Sequence, residues 1–211
     1  QVIGGMGALG TVLAEVATKQ GAALRLDSPV KSITKTDDRV SGVTLASGEA
    51  ISAKLVISSA DPKTTFCDLL GYDQMEVGMA RRVEHYRSRS GTAKLHLALS
   101  ALPQFVGLTD SQLAERLVIT PSMDGMERAL NPMKYNEIST QHTFDINIPS
   151  VADASLAPAD QHVLTAIVHY VPYAPDLGWE AARPQLLAQL LAELEAYAPG
   201  IGSLVTASEL I

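Results

Sequence analysis

An α+β fold, mainly antiparallel sheet flanked by helices, is what this sequence predicts, and three observations carry it. Ala93, Leu95, Leu97 and Leu99 alternate with Lys94, His96 and Ser100, the period of a strand with one buried face. Short β-favouring runs separated by Asp37-Asp38 and Ser47-Gly48 read as a meander closed by turn chemistry. Residues 179–197 read as a long amphipathic helix, interrupted early by Pro184 and stopped at Ala198-Pro199-Gly200.

The elements come in order along the chain. Leu9, Val12, Leu13 and Val16 keep helical spacing and form one apolar stripe, with Gly21 suited to ending that helix. Strands are expected over Ala23–Leu26, Val30–Thr34, Val40–Leu45 and Ile51–Ile57, the last a return strand leading into Ser58-Ser59-Ala60. Asp61-Pro62 places an N-cap residue before a proline at the first helical position, so a helix starts there. Two short helices then end near Leu70 and Arg82. Beyond the strand at 93–99, further strands are expected over Leu117–Thr120, Phe144–Ile148 and Val163–Val171, with a helix over Met123–Leu130. The natural boundary is at Asp61-Pro62, where meander gives way to helices and longer strands.

Composition narrows the function. The chain has 211 residues, 46% of them hydrophobic, enough to build a core and too apolar for a disordered chain. Sixteen basic residues against 23 acidic ones give a net charge of −7, which argues against a nucleic-acid backbone as partner. The single cysteine, Cys67, rules out an internal disulfide or a CxxC site and reads as a small buried hydrophobe. No apolar run reaches transmembrane length and no signal peptide is recognisable, so a cytoplasmic protein is expected. The chain starts without Met and ends without a polar tail, as expected of a segment cut from a longer protein.

The most tempting motif is Gly5-Met6-Gly7-Ala8-Leu9-Gly10, which satisfies GxGxxG, comes after Val2-Ile3, opens a helix and is trailed by Asp27. Such glycines let a backbone approach a pyrophosphate at a helix N-terminus. The context does not support it. Only three residues precede the cluster, and meander comes after it where further βαβ units are required. A glycine-rich helix start is the plainer reading.

An ordered set of segments carries a resemblance. Gly4-Gly5-Met6-Gly7-Ala8-Leu9, Val40-Ser41-Gly42-Val43, Ser58-Ser59-Ala60-Asp61-Pro62 and Ser90-Gly91-Thr92-Ala93-Lys94-Leu95 come first. Ile148-Pro149-Ser150, Leu156-Ala157-Pro158, Tyr170-Val171-Pro172-Tyr173 and Glu195-Ala196-Tyr197-Ala198-Pro199-Gly200 complete it. Together they resemble the phytoene desaturase-like FAD-dependent oxidoreductases, closest to the branch with a pyridine nucleotide-disulphide oxidoreductase domain. The resemblance covers nearly the whole chain. It implies a glutathione-reductase-type FAD domain interleaved with a substrate domain, with the dinucleotide fingerprint upstream of Gln1 and a flavin-closing segment downstream of Ile211. Residues 1–61 would then be a helix and β-meander of a partial FAD-binding domain, and 62–211 the substrate-binding domain.

The resemblance implies FAD as cofactor in the parent protein, contacted by Val30 through its backbone and by the small residues Ser59 and Ala60 near the ADP end. It implies an apolar or isoprenoid-like small-molecule substrate, and the rest of the FAD domain as a partner in the parent chain. A homo-oligomer is compatible with it. The isolated chain, lacking those parts, is expected to be inactive. No catalytic residue is identified.

The remaining candidates have ordinary readings beside functional ones. His85, His96, His142, His162 and His169 show no HxH or HxxxH spacing, so no metal site is expected. His96 and His169, on expected strands, can line a cavity with Lys94 or be plain core or surface histidines. Arg81, Arg82, Arg87 and Arg89 form a local basic cluster, either an anion contact or a solvated helix end. Tyr170, Tyr173 and Trp179 near a Pro-rich turn either wall a pocket or pack. No GxSxG elbow exists to support a hydrolase. A non-catalytic binding module, using the strand faces at 94–99 and 163–171, stands as the alternative to the oxidoreductase. A free-standing nucleotide domain built on Gly5–Gly10 ranks last.

Overall fold

The computed structural model describes residues 2–87, 91–120 and 122–211. Two compact units result, one from Val16–Ser88 and the other from Gln1–Glu15 with Arg89–Ile211. Arg89 of the expected basic cluster lies outside the described residues.

Helix α1 spans Gly5–Lys19, and Gly21 (φ 91°) sits just past its end as expected. The GxGxxG glycines therefore belong to the helix itself rather than to a loop ahead of it. Its apolar stripe forms but stays uncovered, with Val12, Leu13 and Val16 all exposed and no buried residue along the helix.

The smaller unit centres on a three-stranded antiparallel meander, β1 (Val30–Thr36), β2 (Arg39–Leu45) and β3 (Ala50–Ser52). Asp37 and Asp38 both adopt positive φ, 50° and 60°, the backbone that a two-residue hairpin turn demands. Gly42 is required by crowding: a Cβ there would lie 2.0 Å from the Ile51 carbonyl oxygen. Two strand expectations are corrected. Ala23–Leu26 forms no strand, because no neighbouring strand among the described residues takes its main-chain groups. Instead Leu24 and Leu26 stand exposed and Arg25 pairs with Glu49 at 2.8 Å. The return strand stops at Ser52, leaving Leu55 and Ile57 exposed.

Asp61 does cap the segment after it. Its Oδ1 accepts from the Lys63 and Thr64 amides at 2.9 and 3.2 Å, and the Thr64 hydroxyl donates to Oδ2. The Thr64 bonds above all hold its carboxyl below the usual aspartate range. That segment is a π-helix over Thr64–Leu70, with the Gly71 amide reaching the Phe66 carbonyl, five residues back, at 3.1 Å. Helix α2 (Val77–Glu84) ends the unit and carries Arg81 and Arg82 in its last turn.

The larger unit is a five-stranded antiparallel sheet in the order β5-β6-β7-β4-β8. Its strands are β4 (Thr92–Leu99), β5 (Leu117–Ile119), β6 (Thr143–Asn147), β7 (His162–His169) and β8 (Val205–Leu210). Between them lie α3 (Met123–Met133), the short α4 (Pro149–Ala152), α5 (Gly178–Tyr197) and the short α6 (Ile201–Leu204). Pro184 does not interrupt α5, since it sits near the helix start, where its missing N–H deprives only the exposed Glu180 of a partner.

The alternation of β4 decides the architecture. Leu95, Leu97 and Leu99 are fully buried and sit opposite Ala166, Leu164 and His162 of β7. Phe144 and Ile146 of β6 extend the same face. Ala182, Leu186, Leu190 and Leu194 of α5, spaced four apart, are all fully buried, and the three leucines join these strand residues in one core. At about 1.5–3 kcal/mol per buried leucine, this seam contributes heavily to the stability of the unit.

A second tie fixes the helix to the sheet. Glu193 of α5 accepts from the His142 backbone amide at 2.9 Å and meets the His142 ring Nδ1 at 2.6 Å. The His142 side chain is wholly buried and that of Glu193 largely so. Glu193→Ala leaves both nitrogens without their acceptor, and we expect a loss of about 3 kcal/mol in urea denaturation. A loss below the ~0.5 kcal/mol typical of a surface substitution would show that the pair is incidental.

Candidate functional site

Among the described residues the face of the sheet opposite the α5 seam is exposed or half-buried, apart from the buried Thr143 at one corner. Cross-strand register places its residues in rows: Thr143, His169 and Thr92; Asp145, Ile167 and Lys94; Asn147, Thr165, His96 and Glu209. Lys94, His96 and His169, which the sequence suggested as cavity-lining neighbours, do share this face. Apolar positions interleave with polar ones, Ile167 being 39% exposed between Asp145 and Lys94. An antiparallel sheet with one sealed and one unsealed face is the usual platform for a solvent or ligand contact.

Two pairings that were not legible in the sequence organise the face. His96 Nδ1 and Thr165 Oγ1 lie 3.0 Å apart on directly opposed positions of β4 and β7. Arg116, just ahead of β5, holds Asp145 of β6 with both ends of its guanidinium, Nε at 2.6 Å from Oδ1 and Nη2 on Oδ2. Arg116, with His169 as a weaker contributor, holds the Asp145 carboxyl below its usual range against the opposing effect of burial.

At one end of the sheet a cavity of about 350 Å³ is bordered by Gly91, Thr92, Val171, Tyr173, Trp179 and Arg183. The Trp179 indole N–H donates to the Tyr173 carbonyl at 2.9 Å, which fixes one wall. Tyr170 is not part of that wall. Its φ is 65°, and its ring lies beside that of His169, with centroids 6.2 Å apart. Gly91 is obligatory, because a Cβ there would sit 2.0 Å from the Val171 carbonyl oxygen.

In the smaller unit an apolar cavity of about 290 Å³ lies among Ile33, Val40, Val56, Ala60 and Phe66, with Ser58 at its rim. Of the residues tied to a cofactor by resemblance, Ala60 borders this cavity, while Val30 and Ser59 do not line it. Ser59 and Ala60 form an exposed turn just ahead of the Asp61 cap, where the Ser58 hydroxyl accepts from the Ala60 amide at 3.2 Å. Val30 opens β1, an edge strand, opposite Leu45. Among the described residues no group of three or more His, Cys, Asp or Glu is arranged to hold a metal ion. No helix among them is long and apolar enough to cross a membrane.

The class of protein emerges from comparison with known families. Residues 1–65 match the family of flavin-containing amine oxidoreductases. Over nearly its whole length the chain is homologous to phytoene desaturases and to pyridine nucleotide-disulfide oxidoreductase domain-containing proteins. The pyridine nucleotide-disulfide oxidoreductase domain-containing protein 2 of Rattus norvegicus is 28% identical over 94% of this chain and 36% of its own length. The lycopene-forming phytoene desaturase of Pseudescherichia vulneris is 30% identical over 95% of this chain and 39% of its own. An oxidoreductase of solved structure from Methanosarcina mazei shares the fold, with a TM-score of 0.68 at 18% identity, over 99% of this chain and 42% of its own. The chain therefore spans little more than a third of the curated relatives it matches.

The Asp145–Arg116 pair generates a pH prediction. A carboxyl held below its ordinary value contributes stability that is present above the unfolded-state value, about 3.8, and is lost as pH falls through the lower folded-state value. Arg116→Ala is expected to lower Tm at pH 7 and to leave it nearer the wild-type value at pH 2–3. Parallel Tm curves across that range would contradict the assignment.

Proposed function

We propose that this chain supplies the substrate-facing sheet and part of the cofactor domain of an FAD-dependent oxidoreductase acting on an apolar, isoprenoid-like small molecule. One observation carries the reading: a chain homologous to flavoprotein oxidoreductases presents a sheet sealed on one face and open, with mixed polar and apolar residues, on the other. FAD supplies the redox chemistry when bound. The chain's own part is to hold the substrate against the cofactor, orient it and keep water out.

In this reading residues 1–61 complete an FAD domain whose remainder lies elsewhere in the parent protein, and 62–211 form the substrate domain. The exposed apolar residues support it. Val12 and Leu13 of α1, Leu26 and Ile57 are between 54% and 87% exposed, within a stretch of about sixty residues. So much bare hydrocarbon is the expected state of half a domain whose other half covers it. Val30, Ser59 and Ala60 are the residues we assign to the nucleotide end of FAD. Val30 sits on a sheet edge whose outward main-chain groups have no partner strand among the described residues, and Ser59 and Ala60 are small enough for close approach.

The test is flavin content. The full-length protein is expected to purify with about one flavin per chain, read from its visible absorbance. The 211-residue chain alone is expected neither to quench added FAD fluorescence at micromolar concentrations nor to turn over. A full-length protein that binds no flavin would overturn the oxidoreductase reading in favour of a binding module, and tight FAD binding by the isolated chain would overturn the assignment of residues 1–61.

A further inference from the structure

The open sheet face carries a shallow groove where β7, β4 and β8 run side by side. About 240 Å³ in volume, it runs over Ala98, Val163 and Ala207, with His96 and Glu209 at one end. Register explains its shape. Ala98 of β4 stands between Val163 of β7 and Ala207 of β8, so two alanines leave a trough where larger side chains would fill the pleat. His96 and Glu209, directly opposed on β4 and β8, close the polar end.

We infer that this groove anchors a hydroxyl-bearing apolar molecule, the hydroxyl between His96 and Glu209 and the hydrocarbon body along the alanine floor. The inference rests on the reading of this chain as a substrate-facing module and names the substrate class for it. Thr165 takes up His96 Nδ1 at 3.0 Å, which fixes the ring and leaves Nε2 without a partner among the described residues. A hydroxyl suits Nε2 in either tautomer. If the Thr165 hydroxyl donates to Nδ1, Nε2–H donates to the ligand oxygen; if Nδ1–H donates to Thr165, Nε2 accepts the ligand proton.

The Glu209 side chain likewise has no partner among the described residues and only accepts when ionised. Lys94 stands two positions along the same face of β4, so side chains of both signs border this end, which suits a neutral head better than an ionic one. A pure hydrocarbon laid here would strip water from His96 and Glu209 without replacing their hydrogen bonds, and this mismatch is what discriminates. Thr165 acts as a positioning residue, through His96.

The measurement uses the full-length, flavin-loaded protein in equilibrium dialysis with a matched pair of probes, farnesol and its hydrocarbon counterpart farnesene. Farnesol is expected to bind about tenfold tighter, the factor one net hydrogen bond supplies. His96→Phe should erase that preference with farnesene binding kept, and Thr165→Val should reduce it several-fold. His96→Gln, which keeps a side-chain donor and acceptor, should retain part of it and provides the arm that survives if the phenylalanine variant misfolds. Equal binding of the two probes, no binding of either, or an unchanged preference in a folded His96→Phe protein overturns the inference. Absence of flavin from the unmodified protein overturns instead the oxidoreductase reading on which it stands.

Discussion

Everything in the larger unit depends on the pleat of β4. With a side-chain period of two, four residues of that strand are committed to the α5 seam and the intervening ones to the opposite face. The commitment propagates sideways through cross-strand register, so that the fully buried set of β6 and β7 is fixed once β4 is fixed. A slip of one residue would bury Lys94 and His96 and expose three leucines. Because that slip is so costly, the open face is specified as strongly as the core. The positions of His96, Thr165 and Glu209 are by-products of leucine burial.

The helix contributes the other half of that constraint. Four buried residues at a spacing of four make α5 a lid of constant orientation over the sheet. The His142–Glu193 pair then sets how far along the sheet the lid sits, because a carboxylate that bonds both a backbone amide and a ring nitrogen has little freedom left. Apolar packing is non-directional and fixes the face of the helix. The hydrogen-bonded pair is directional and fixes its register.

How much of this is legible in the sequence depends on the range of the interactions involved. The β4 alternation, the Asp37-Asp38 turn, the Asp61 cap and the extent of α5 are local patterns, and each is readable from neighbouring residues. β8 is not, since Val205–Leu210 buries only Leu210 and is held at the sheet edge by main-chain pairing to β4, about a hundred residues earlier. The pairings His96–Thr165, Arg116–Asp145 and His142–Glu193 span 69, 29 and 51 residues and depend on register that composition does not reveal. The grouping of Lys94, His96 and His169 on one face is accessible because period two applied to two strands is enough to establish it.

The strands that fail to form are instructive for the opposite reason. Ala23–Leu26 and Leu55–Ile57 have strand-like composition, yet Leu24, Leu26, Leu55 and Ile57 stand exposed. A strand is a cooperative object: its propensity is expressed only when a neighbour takes its main-chain hydrogen bonds and another layer covers its side chains. The meander supplies its own neighbours and folds. The flanking segments, like the uncovered stripe of α1, have the residues for burial without the surface to be buried against. Local pattern and realised structure therefore diverge where a segment finds no partner surface, as at Ala23–Leu26 and Leu55–Ile57, and agree where neighbouring strands are at hand, as in the meander and at β4.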